Sequence, residues 1–277
     1  MKRQPEDRAD EMSFGEHLDA LRPHLMRGAA VIVLLTVAAF CCKEWLIDRL
    51  LFGPMQPEFP TNRMLAWISG LTSEGAATFR PAEMTLVNTT VAGQFNLHLS
   101  VSFAAACTVG FPYLLWELWR FVRPALTRKE QRACRRIVGY VSAGFFAGLL
   151  FGYLLIAPLS LAFLSNYQAS AAIENLIDVH SYLSTVLHVS IACAVVFQLP
   201  LLVYFLTRIG LLTPQWLRRY RRHAIVVLAI LSAIITPPDL FSMVLLLLPL
   251  YGLYAFAIFI ATRTYRSGES GSLDITR

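Results

Sequence analysis

The sequence predicts an all-α, polytopic membrane protein with six transmembrane helices, and three observations carry that prediction. The first is composition: 56% of the 277 residues are hydrophobic and 15% are charged, against about 25% charged in an ordinary soluble domain. Mean hydropathy is +0.54. The second is distribution. The deficit of charge comes from long windows with no Asp, Glu, Lys or Arg, the composition that a helix in hydrocarbon requires. The third is asymmetry, because twenty of the 24 Lys and Arg residues fall in regions that a six-span chain places on one side.

Residues 1–24 form a polar amphipathic segment, too long and too acidic for a cleaved signal peptide. It ends in "GEHLDALRPH" and runs without a linker into the first span, Leu25–Ile47, whose charge-free centre is Gly28–Cys42. The connection Asp48–Gly93 holds Pro54, Pro57, Pro60, Pro81 and the strand-like "MTLVNTT". It is too long for a bare link and is expected to pack as a cap on the outer face. The second span lies in Leu97–Trp119, followed by the loop Arg120–Arg136 with seven cations. The third, Ile137–Leu164, carries Gly144, Gly148 and Gly152 at a spacing that permits close helix approach. The fourth is Val179–Thr207. The fifth, His223–Thr236, covers only about 21 Å against a hydrocarbon core of about 30 Å. The turn "TPPD" separates it from the sixth, Leu240–Thr262, so a short spanning hairpin is expected. The spanning domain is thus 25–262, and a polar tail, 263–277, remains. The basic asymmetry puts both termini in the cytoplasm.

A few polar residues stand against this apolar background. Gln198 lies deep in the fourth span beside Pro200. It either bonds carbonyls that the proline frees or lines a polar cavity. Glu117, flanked by Trp116 and Trp119, reads as a carboxylate snorkelling to headgroup depth. Asp239 reads as an N-cap of the sixth helix. Glu130 is the sole acid in the loop of seven cations. His188 reads as a packed or hydrogen-bonded core residue, and the five cysteines as small buried hydrophobes with no disulfide framework. There is no metal-ligand clustering of histidines and no zinc, Walker or nucleophile-elbow motif, so neither an enzyme nor a cofactor is expected. A small-molecule secondary transporter is the main alternative. It would need mid-bilayer polar or broken-helix sites, for which Gln198 and His188 are the candidates, and matching halves, which the sequence lacks.

Taken in order, several segments resemble the TatC family, the multi-spanning subunit of the twin-arginine protein translocase. They are "HLDALR", "FGP" ending at Pro54, "GQF" at Gly93–Phe95, "LWELWRFVRPALTRKEQR", "FQLP" around Gln198, and "TPPDLFS" at Thr236–Ser242. The resemblance implies a concave, glove-like six-helix bundle in the cytoplasmic membrane, working in export driven by the proton motive force. It implies twin-arginine signal peptides of folded precursors as ligands, recognised by Glu16, Asp19, Leu21, Arg22, Glu130 and Arg132. Single-span TatA/TatB-type subunits, further copies of the chain and membrane lipids are the implied partners, with no nucleic acid. The same resemblance marks Gln198 as the polar position of the fourth span. It marks Pro54, Phe95 and Asp239 as positions that tolerate change badly, and Glu117, Thr236, Pro237, Pro238 and Met243 are expected beside them as structural or partner-contact positions. Two residues depart from the family pattern: Ala20 stands where it has glutamate, and Met243 where it often has a polar residue. Asp19 or Glu16 is expected to substitute for the acid, since Glu16 and Ala20 share a helical face; the alternative is an altered or narrowed recognition of cargo.

Overall fold

A computed structural model describes residues 14–71, 84–122, 128–168, 170, 175–208, 211–237 and 240–273. The chain divides into two compact units, Met1–Cys41 with Ser102–Gly139, and Cys42–Val101 with Tyr140–Arg277. Five helical stretches are long and apolar enough to cross a membrane: Leu21–Cys41, Gly93–Phe121, Val138–Asn166, Val179–Thr207 and Ser242–Arg263. The fourth has the limits expected from the sequence, and the second, third and sixth differ by a few residues.

In the first unit, α1 (Phe14–Cys41) joins the polar segment to the first span as one helix. It ends six residues before the expected Ile47. Pro23 lies inside it, and its missing N–H leaves the carbonyl of Asp19 without the usual helical donor. The helix packs antiparallel against α3 (Gly93–Val122) through two glycines. A Cβ on Gly28 would sit 2.9 Å from Leu114 Cδ2, and one on Gly110 would sit 2.6 Å from Ile32 Cδ1. Helices in lipid gain no hydrophobic drive toward one another, so such close backbone approach is what holds them.

In the second unit, the described part of the Asp48–Gly93 connection folds into short helices. A π-helical stretch, Trp45–Leu51, and a short 3₁₀ turn, Gly53–Met55, lead to α2 (Pro60–Leu71). Asn62 Nδ2 donates to the carbonyls of Pro54 and Gln56, both at 2.8 Å, and the Thr61 hydroxyl donates to Leu154 O. The "MTLVNTT" expectation resolves into a two-residue strand, β1 (Leu86–Val87), paired in parallel with β2 (Ile177–Asp178).

The third span is α4 (Arg128–Phe151), a π-helical turn at Gly152–Ile156, and α5 (Ala157–Asn166). It packs on α6 (Val179–Val196) through the glycines read from the sequence. A Cβ on Gly148 would lie 2.6 Å from Cys193 O, and one on Gly152 would lie 2.8 Å from Ser190 Cα. The fourth span is broken at Phe197–Gln198 and resumes as α7 (Leu199–Arg208). After α8 (Pro214–Arg219), the fifth candidate is α9 (Arg221–Ile235). Its 15 residues cover about 22 Å. The last helix, α10 (Leu240–Leu273), has 34 residues and carries on through most of the expected tail. Ile156, Val189, Cys193, Leu228, Ile235, Leu246 and Leu250 form one core where these helices meet.

Candidate functional site

The end of the α1–α3 pair where α1 begins and α3 finishes holds the most connected polar cluster among the described residues. The antiparallel ladder fixes it: Ile32 is level with Gly110, Gly28 with Leu114, and one turn further His24 meets Glu117. Glu117 is 3% exposed. His24 Nδ1 lies 2.5 Å from its Oε2, the Tyr113 hydroxyl donates to Oε1 at 3.0 Å, and Arg120 Nη1 stands 3.4 Å from Oε1. The snorkelling expected of Glu117 is therefore wrong. Taking a carboxylate out of water is expensive unless its lone pairs are matched, and here three donors from two helices match them. Trp116 beside it is partly exposed, as an interfacial residue should be.

Of the expected recognition residues, Leu21 is half-buried and Arg22 is exposed on the same helix. Glu16 and Asp19 lie in the first turns of α1, and Glu130 and Arg132 in those of α4, but their side chains lie outside the described residues.

The break in the fourth span explains Gln198 locally. Its backbone N–H donates to Val195 O at 3.0 Å, one residue short of the helical register. Ala194 O thereby loses its usual donor, and the Gln198 side chain replaces it through Nε2 at 3.2 Å. The amide also packs against Gly144 of α4, where a Cβ would be 3.5 Å from Nε2 and 3.6 Å from Oε1. His188 is hydrogen-bonded, as expected, but exposed rather than in the core, with Nε2 3.3 Å from Ile234 O at the end of α9, a carbonyl that no helical N–H reaches.

At the α9–α10 turn, Thr236 is buried and its hydroxyl donates to Ser232 O at 2.9 Å. Ser232 Oγ donates to Met243 O at 2.6 Å, so position 243 contributes through its backbone. Pro237 is half-buried, whereas Pro238 and Asp239 lie outside the described residues and the N-cap expectation with them. Ser160 and Ser242 share a buried hydrogen bond of 2.8 Å. Among the four cysteines whose side chains are described, only Cys193 is buried as expected; Cys41 and Cys42 are exposed at the end of α1, Cys107 is half-buried, and all four are free thiols.

At the cap, Pro54 is buried and its carbonyl is held by Asn62. Phe95 is exposed and lines a cavity of about 510 Å³ with Lys43, Phe52, Asn88, Gln94 and His98. Nearby, Asp178 caps α6, accepting from His180 N at 2.9 Å and from the Thr89 hydroxyl at 2.8 Å. The Thr89 hydrogen bond first, then the helix N–H groups, hold its carboxyl below the usual range, against some desolvation.

Fold and sites together define a class, a multi-pass helical membrane protein with polar groups gathered at helix ends and breaks. The family model described as "Sec-independent protein translocase protein (TatC)" matches residues 16–249. A Sec-independent protein translocase protein TatC from Blattabacterium sp. is 33% identical over 254 residues, covering 91% of this chain and 96% of its own. Another, from Deinococcus radiodurans, is 30% identical and covers 91% and 86%. The solved structure "Crystal Structure of Twin Arginine Translocase Receptor- TatC" superposes with a TM-score of 0.67 at 26% identity, over 90% of this chain and 99% of that one. The chain belongs to the TatC family of Sec-independent protein translocases, which are transport components rather than enzymes.

Sequence reasoning missed His24, Tyr113 and Ser232. Two glycines in facing apolar helices were the available signal for the first two. Gly28 sits four residues after His24, and Gly110 three before Tyr113 and seven before Glu117.

Proposed function

We propose that this chain is the receptor subunit of a twin-arginine translocase. It binds the signal peptide of folded precursors at the cytoplasmic face of the membrane and assembles there with single-span partner subunits and further copies of itself. The observation that carries this reading is the continuity of α1, whose polar first turns run without a break into the first span. A guanidinium pair needs carboxylate acceptors held at the membrane edge, and a helix running continuously out of the bilayer holds them there. Family membership and the likeness to a solved twin arginine translocase receptor support the same reading. Both termini are cytoplasmic, because the basic residues concentrate in the N-terminal segment, the Arg120–Arg136 and Arg208–Arg222 regions and the tail. Six spans then follow if α9 crosses a locally thinned bilayer.

Glu130, alone among seven cations, accepts the signal arginines. Glu130→Gln loses a charge-assisted hydrogen bond, about 1.5–3 kcal/mol. Crosslinking of a twin-arginine precursor to the inner loop should fall, while a Lys-Lys precursor stays weak with both proteins. An unchanged preference for arginine would refute the role.

A further inference from the structure

We infer that Glu117 supplies, from α3, the arginine-binding carboxylate that α1 lacks at position 20, and that a signal arginine reaches it by displacing His24. The inference rests on the receptor reading and extends it to a residue that the family pattern does not assign.

Position supports it first. Residues 20 and 24 are one turn apart on α1, about 6 Å along the axis, and lie on one face. The α1–α3 ladder places His24 against Glu117 and Gly28 against Leu114. Continued one turn toward the cytoplasm, it brings position 20 level with Arg120 and Phe121 of α3. A carboxylate rooted at position 20 and the carboxylate of Glu117 would therefore converge on one point of the interface. This chain has alanine on α1 and glutamate on α3.

Chemistry supports it second. Two packed helices gain nothing from burying a full carboxylate if they need only a tie, since desolvating it is costly. A buried carboxylate is suited to a cation. Its present partners leave room for a stronger one: His24 offers one N–H, Tyr113 one O–H, and Arg120 stands at 3.4 Å with a half-exposed side chain. A guanidinium is always charged and gives two parallel N–H bonds to one carboxylate, so exchange for a single imidazole contact is favourable.

Access supports it third. The His24 side chain is 19% exposed and that of Glu117 is 4% exposed, so the imidazole is the cover that must move. Its ring also meets Phe121 edge-on at 6.4 Å, and the vacated place has an aromatic wall against which a guanidinium stacks.

The test uses full-length protein in lipid nanodiscs and a fluorescent twin-arginine signal peptide, with its Lys-Lys version as control. Glu117→Gln should weaken binding of the arginine peptide roughly tenfold or more and reduce the preference over lysine. Ala20→Glu, added to Glu117→Gln, should restore both, because the acid returns to the same point from the other helix. His24→Ala, which breaks the tie and uncovers the carboxylate, should bind the arginine peptide more tightly. If Glu117 is only a helix tie, His24→Ala weakens binding as Glu117→Gln does and Ala20→Glu rescues nothing, which overturns the inference. Arginine preference intact in Glu117→Gln overturns it as well. Wild-type protein with no arginine preference overturns the receptor reading, and this inference falls with it.

Discussion

The α4–α6 approach makes a quantitative prediction, because a single added methyl group meets backbone rather than a movable side chain. A Cβ on Gly148 would lie 2.6 Å from Cys193 O and 2.7 Å from Phe197 Cβ. Ordinary contact begins at 3.4 Å, so α6 must retreat by about 0.8 Å. Overpacking of this kind costs about 1–3 kcal/mol, and a backbone oxygen that cannot rotate away puts Gly148→Ala at the upper end. The helix itself gains up to about 1 kcal/mol from Gly→Ala, leaving a net loss of about 2 kcal/mol. Gly252, in α10, supplies the control, with nothing within 4 Å of its added Cβ. Gly252→Ala should therefore be neutral or stabilising by up to about 1 kcal/mol. Far-UV circular dichroism of protein in mixed micelles, titrated with a denaturing detergent, reads the difference. Export of a folded reporter should also fall in Gly148→Ala, because Phe197 borders the break that places Gln198. If the two variants unfold at the same denaturant fraction, the close approach is not what holds these helices.

Three further outcomes follow from other elements. In a cysteine-free background, Thr72→Cys should label from outside intact cells and Ser270→Cys should not; labelling at 270 would reverse the topology and remove the receptor reading. Asp178 has a folded pKa below its ordinary value of 3.8, so its contribution to stability is full above that value and is lost as pH falls through the folded pKa. Asp178→Asn should therefore flatten the fall in thermal midpoint between about pH 5 and about pH 2, and an unchanged slope would show that the cap carries no stability. Gln198→Leu leaves Ala194 O without its donor, at a cost of roughly 1–3 kcal/mol, and should reduce export. Gln198→Glu keeps a polar group facing Gly144 and should retain export, and equal export by both would make the amide a cap for the helix break alone.

Much of this fold is legible in the sequence because the bilayer leaves few choices. An apolar window must be helical to satisfy its backbone, so span positions follow from composition, and the fourth, Val179–Thr207, comes out with the expected limits. The glycines of α4 are legible for a related reason, since small residues at helical spacing are the contacts lipid permits. Partnership is not legible. Whether Glu117 reaches water or pairs inside depends on which face of α3 meets α1, and apolar residues surround both helices almost evenly. Snorkelling is the cheapest solution for an isolated helix, and only the Gly28–Leu114 and Gly110–Ile32 approaches rotate Glu117 inward onto His24. Gln198 differs in kind. Pro200 announces a disturbance, but the donor that moves is the N–H of residue 198, which turns to Val195 and frees Ala194. The amide is therefore committed to its own helix through Ala194 O and packs at van der Waals distance on Gly144 of α4, a partner that the sequence around Pro200 does not name.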